Sequence, residues 1–341
     1  MRYFQLSIFF TIVCLIAAFI FGGIEGAVLA LILGVLEVSL SFDNAVVNAS
    51  VLKRMSPVWQ QRFLTWGIIV AVFGMRLLFP ILIVAFATGL SLSSVTDMAL
   101  SEPDQYAKYL QDAHAFIAAF GGTFLLLVSF SFLFDEARET YWLGRLEKKV
   151  QELGKIDAVA STLSLLLLLV TYAIVEEPHQ HDVLFGGVWG IFLYGLVSSL
   201  DRFFQVETED EDAAVADTIK QGGVMAFLYL ELLDASFSFD GVIGAFAITR
   251  DIVIIMLGLG IGAMFVRSLT VFLVNKGTLD EYVFLEHGAH YAIGALALIM
   301  LISTHTPIPE VFTGLIGAAF IALSVLSSIR FKKKEAANSS S

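Results

Sequence analysis

The chain is poor in cysteine and poor in charge. Its single cysteine, Cys14, lies in the first apolar segment. An internal disulfide is therefore excluded, a cysteine-held metal is disfavoured, and Cys14 reads as a small buried apolar residue. Charged residues make up 15% of the 341 positions, whereas 57% are hydrophobic, which excludes an ordinary soluble domain. Cations are the scarcer sign, and a net charge of −12 offers nothing to nucleic acid. A cleavage site is lacking too. Residues 1–21 resemble a signal peptide, but no small-residue cleavage pattern follows and another apolar run begins almost at once. We read the stretch as a retained first span.

Long apolar runs are what the chain has instead. They predict an all-α, polytopic membrane protein of about ten transmembrane helices, at about 3–22, 24–51, 62–90, 114–135, 158–176, 183–204, 219–248, 250–274, 286–304 and 309–329. The first two are separated by a Gly-Gly-Ile-Glu-Gly turn, which also fits a hairpin of helices. Residues 1–331 form one integral membrane domain in this reading, and 332–341 a disordered basic and polar tail. Lys and Arg cluster at 53–62, 138–155 and 332–334. These clusters place both termini in the cytoplasm. Acid runs mark two loops: Asp97, Glu102, Asp104 and Asp112 outside, and Glu207, Glu209, Asp210, Glu211, Asp212 and Asp217 inside. They are solvated polar loops or, more sharply, concentrators of cations near a pore mouth.

Two stretches break the apolar pattern. Glu37-Val-Ser39-Leu-Ser41-Phe-Asp43-Asn44 is repeated by Asp234-Ala-Ser236-Phe-Ser238-Phe-Asp240-Gly241, with both acids offset by 197 positions (234 − 37 and 240 − 43). Glu231 adds an acid one turn upstream in the second copy. Ionisable side chains at bilayer depth cost roughly 2.5–3.5 kcal/mol each on insertion scales, so they are functional candidates. The inferred topology makes the copies antiparallel. That is an inverted-topology repeat, at about 24–135 and 219–304, with a substrate site between its halves. One buried arginine follows each motif, Arg76 and Arg267.

Steps of four, three and four put Glu37, Ser41, Asn44 and Asn48 on one helical face. Asp43 stands about 240° from Glu37 on a regular helix, and Asp240 relates to Asp234 in the same way. Both pairs converge only where the helix breaks, so breaks are expected at 41–44 and 238–241, where Ser, Asp, Asn and Gly favour them. The ligands on offer are carboxylate, hydroxyl, amide and carbonyl oxygens. Hard divalent cations suit that set, with Mn²⁺ favoured and Ca²⁺, Mg²⁺ or Zn²⁺ as alternatives. Metal binds the deprotonated ligands, so such a site exchanges protons for metal. Arg76 and Arg267 pair with the acids when metal is absent, or gate the path. A separate group, Glu286, His287 and His290, is a weaker metal or proton candidate, and Glu177, His179 and His181 form a weaker one still. Packing is the ordinary role of both. The Gly258-Leu-Gly260-Ile-Gly262 run should let helices approach closely.

Leu36-Glu37-Val-Ser-Leu-Ser-Phe-Asp43-Asn44-Ala45 resembles the first signature of the tellurite-resistance TerC family of membrane proteins. Asp234 to Gly241, with Phe246-Ala-Ile-Thr249 behind it, resembles the second. Gly241 stands where that signature often has Ser, so one ligand is missing. The resemblance implies membership of a wider group of exporters built from inverted three-helix units. It further implies efflux of metal ions, notably Mn²⁺, tellurium resistance and envelope-linked metal homeostasis. It implies an ion site of Glu37, Asp43 and Asn44 with Glu231, Asp234 and Asp240, supported by Ser39, Ser41, Ser236 and Ser238. It suggests a bacterial inner membrane. The expected function is a transporter, not an enzyme. An intramembrane aspartyl protease using Asp43 and Asp240 is the less favoured reading, because the chain lacks the Gly-x-Gly-Asp element of that class. A scaffold that senses metal and recruits stress-response or envelope proteins is the other alternative.

Overall fold

The structure, a computed structural model, describes residues 2–156, 158–206, 214–306 and 308–339. The inner acid run Glu207 to Asp212 lies outside these residues, as do the side chains of Asp217, Ser238 and Asp240. Every element among the described residues is helical.

Helix α1 (Gln5–Leu40) contains a hinge at Gly23, with φ 63° and ψ −155°. Only glycine occupies that region without strain. The chain folds back there. Ser7 Oγ donates to the Met264 carbonyl (2.8 Å), and a methyl on Gly22 would lie 3.3 Å from Ile254. A methyl on Gly34 would lie 2.9 Å from Ile261, and one on Gly262 would lie 2.3 Å from Glu37 Cβ. Residues 7 to 22 therefore descend helix α12 (Ile252–Asn275) while 26 to 37 ascend it. Each arm of α1 is about 25–27 Å long at 1.5 Å per residue. Glycines make the seam close, as the Gly258–Gly262 run suggested: a methyl on Gly258 would stand 2.6 Å from Leu33 Cβ.

After a break at Ser41 come α2 (Phe42–Arg54) and α3 (Pro57–Ile69), then a π-helical stretch Val70–Leu78 that leads into α4 (Phe79–Thr88). Two short helices, α5 (Leu92–Ser101) and α6 (Pro103–Asp112), precede α7 (His114–Leu133). The small α8 (Arg145–Gln151) leads to α9 (Val159–Ile174) and α10 (Glu177–Val206). Then follow α11 (Ala214–Ile248), α12, the single-turn α13 (Thr278–Glu281), α14 (Leu285–Ser303) and α15 (Glu310–Ser339).

Among the helices long enough to cross a membrane, α7, α12 and α14 are the most buried, whereas α1, α10 and α15 are largely uncovered. Phe9, Ile20, Phe21 and Ile24 of α1 point outward. An apolar exterior around a helical interior is the arrangement a bilayer imposes, because helices satisfy their own backbone groups. Among the described residues six helices are long and apolar enough to cross a membrane, or eight if two bent pairs each count as a span. That is fewer than the ten read from the sequence. The difference lies in particular elements. The α1 hairpin counts once, and α11, many of whose side chains lie outside the described set, is not among the six. Helix α15 continues through Lys332, Lys333 and Lys334 to Ser339. Lys, Glu and Ala there are good helix formers.

Candidate functional site

The two motifs meet. Asn44 Nδ2 donates to Asp234 Oδ1 at 3.1 Å, and a methyl on Gly241 would lie 2.8 Å from Glu37 Oε2. Position 37 thus faces 241 while 44 faces 234, so the motif segments pass each other in opposite senses. The absence of a side chain at Gly262 leaves space for the Glu37 stem, and its absence at Gly241 leaves space for the carboxylate.

The first motif breaks where expected. Ser41 takes φ −104° and ψ 20°, its N–H bonding back to the Glu37 carbonyl (3.0 Å). Its hydroxyl donates to Glu37 Oε1 at 3.3 Å. The second motif does not break: α11 runs helically through 238–241. Gly241 tolerates a helix in a tightly packed setting, and Ser236 satisfies its hydroxyl on the Leu232 carbonyl one turn back (2.9 Å) without disturbing the ladder.

Both arginines are buried and paired. Arg76, carried by the π stretch, places Nη2 2.5 Å from Glu37 Oε1 and Nη1 3.8 Å from Asp234 Oδ2. It therefore joins an acid of each motif. Irregular helical turns of this kind recur at functional positions. Arg267 bonds Glu231 Oε1 (3.0 Å) and the Phe63 carbonyl (2.6 Å), with its guanidinium 4.0 Å above the Phe63 ring. Gly67 leaves room for it, since a methyl there would fall 2.1 Å from Arg267 Nη1 and 2.7 Å from Glu231 Oε1.

Several acceptor oxygens in this region lack a donor. Asn44 Oδ1, Asn48 Oδ1, Glu231 Oε2 and Asp234 Oδ2 are buried without a hydrogen-bond partner among the described residues. Buried acceptors usually find one, so four on two adjoining helices is an unusual concentration. Such oxygens suit a hard cation, and Arg267 Nε beside them is a buried donor without an acceptor among the described residues. However, no three acidic, histidine or cysteine side chains among the described residues stand close enough to hold a metal by themselves.

Other expected members are placed apart. Asp43 is buried, accepts from the Asn44 N–H (2.9 Å), and faces α15, where a methyl on Gly317 would lie 3.0 Å from its Oδ2. Ser39 is exposed and bonds the Val35 carbonyl (2.8 Å). Asp240 and Ser238 sit on α11 at positions whose side chains are not described.

His287 and His290 belong to a different cluster. His290 stacks on Phe132, with centroids 4.0 Å apart, and its Nδ1 lies 2.9 Å from the Glu286 carbonyl. His287 Nε2 lies 3.0 Å from the Thr140 carbonyl and 3.8 Å from Glu147 Oε1. Glu147 was not singled out in the sequence, yet it is 2% exposed. It accepts from the Tyr291 hydroxyl and from the Leu143 N–H (3.2 Å), and pairs with Arg138 at 3.8 Å. It pins the loop after α7 onto α14. A glutamate in a loop rich in lysine reads as solvated; Tyr141 and Trp142 beside it were the one available sign that the loop is packed.

Fold and site together define a helical membrane-embedded protein with a buried network of carboxylates and arginines. The chain belongs to the family described as "Protein of unknown function (DUF475)", whose model matches residues 42–335. That match runs from α2 through most of α15 and leaves α1, with Glu37, outside it. No curated protein and no solved structure matches the chain significantly.

Proposed function

We propose that the protein is a membrane transporter that exports a divalent metal ion, Mn²⁺ first, through the acidic junction of its two motifs. The observation that carries this reading is the meeting of Glu37, Arg76, Asn44 and Asp234 across two oppositely directed segments, beside four buried oxygens without donors among the described residues. A cation supplies what those oxygens lack, and protons taken up in its place would balance the acids after release. The opposed motif segments are also what an inverted repeat in a ten-span chain would produce. The motif likeness to the TerC family points the same way.

The test is transport by the full chain reconstituted in liposomes. Mn²⁺ flux is expected with the wild type and abolished by Asp234→Ala. Undiminished flux in Asp234→Ala would remove the junction as the ion path.

A further inference from the structure

The segment that joins α7 to α9 carries apolar side chains on its outside. Leu143, Leu146, Leu153 and Ile156 are 42% to 63% exposed. Four exposed cations, Arg145, Lys148, Lys149 and Lys155, lie among them, and none forms an ion pair among the described residues. Glu152 is the one exposed acid from 143 to 156.

Two observations fix how the segment lies. The first is the side by which it is held. Gln151 Nε2 donates to the carbonyls of Asp135 (2.7 Å) and Arg138 (2.9 Å), and its Oε1 accepts from the Tyr141 hydroxyl (2.8 Å). Glu147 accepts from the Tyr291 hydroxyl of α14. At about 100° per residue, Leu146 and Val150 stand about a third of a turn from that bonded side, and Arg145, Lys148 and Lys149 about a third of a turn further. Helix α8 thus has a bonded face, an apolar face and a cationic face. The second observation is direction. Residues 145–155 meet α9 at 99°, at a corner where Ala158 takes a left-handed φ of 57°. Helix α9 turns Leu165, Leu166 and Leu169 outward, as a lipid-facing helix does. A segment perpendicular to it runs along the membrane surface, and its four cations bar it from the hydrocarbon. Apolar and cationic faces on one in-plane element are the mark of an interfacial helix.

We propose that residues 143–156 form an in-plane anchor that binds anionic phospholipid. The exposed leucines and Ile156 enter the boundary between headgroups and acyl chains. Arg145, Lys148, Lys149 and Lys155 hold lipid phosphates, the guanidinium with two parallel N–H donors. Each cation near an anionic leaflet adds to the attraction. The anchor is independent of which ion the junction between the motifs carries.

The test uses the full chain in nanodiscs of phosphatidylcholine, alone or mixed with phosphatidylglycerol. Nitroxide labels on L146C and on E152C report depth by their collisions with oxygen and with a water-soluble nickel chelate; Cys14 is buried and stays in place. The label at 146 should meet oxygen and be shielded from nickel, and the label at 152 should show the reverse. Equal nickel access at both positions would overturn the anchor, since the apolar face would then stand in water, open to a soluble protein partner instead. Spin-labelled lipids read headgroup choice. The wild type should prefer phosphatidylglycerol, and R145Q/K148Q/K149Q/K155Q should lower that preference about twofold or more. An unchanged preference, or none in the wild type, would overturn the binding of anionic lipid by these cations. If the fourfold variant does not fold, K148Q/K149Q is read in the same way.

Discussion

Gly67 lacks a side chain where Arg267 needs the room, and this shows how the charged network is built. A buried ion pair in a membrane interior is retained only when both partners are held closely, because each uncompensated charge is costly. Glycines at 67, 241 and 262 provide the space in which Arg267, Glu231 and Glu37 sit. Gly67→Ala should therefore destabilise the protein by about 1–3 kcal/mol, the usual effect of overpacking. Gly195, with nothing within 4 Å of an added methyl, is the control. Its alanine variant should melt at or slightly above the wild type. Equal melting temperatures for the two variants would show that the Arg267 pocket yields without penalty. The acids themselves were legible in the sequence, because a carboxylate inside an apolar run stands out. Their partners were legible only as a possibility, since nothing in a linear sequence says that Arg76 reaches both Glu37 and Asp234. Glu147 was not legible, because burial of a loop glutamate depends on where α14 lies.

At the scale of elements, two local features shape the fold. The first is the turn at Gly23. With φ 63° and ψ −155° it lies in a region that is nearly glycine-only. Gly23→Ala should cost about 1–3 kcal/mol and loosen both arms of α1 from α12. The readout is faster hydrogen exchange in residues 5–40, and unaltered exchange would mean that the turn carries no strain with a side chain. The second is the loop that Glu147 pins to α14. Removing one partner of a buried pair typically costs about 3–5 kcal/mol. Glu147→Ala should thus release the segment 136–156, which limited proteolysis would detect as accelerated cleavage there; cleavage at the wild-type rate would count against the loop being pinned. Helix positions follow closely from apolar run lengths, and α7, α12 and α14 fall near their expected spans. The break at Ser41 followed from local chemistry, and its counterpart at 238–241 did not. Ser and Gly permit a break without requiring one, and the packing of α11 decided the outcome.

At the scale of the whole molecule, an apolar exterior surrounds α7, α12 and α14, and a charged junction lies between α1, α2, the π stretch and α11. The distribution of Lys and Arg sets an orientation that can be checked directly. Cys14 is buried, which gives a low background for labelling of introduced cysteines. A cysteine at Ser93 should react with a membrane-impermeant reagent from outside intact cells, and one at Lys149 only after the membrane is opened. The reverse pattern would invert the topology. Composition made the membrane class legible, whereas the number of spans was blurred by the α1 hairpin, which two apolar runs build within one helix. The acids of α11 are expensive in lipid, and an ion path is the use proposed for them.

The most direct measurement is an experimental structure of the protein soaked in Mn²⁺, with anomalous scattering recorded at the manganese edge. A peak should appear between α2 and α11, within bonding distance of Asp234 and an Asn44 or Asn48 amide oxygen. A peak elsewhere would contradict the proposed path.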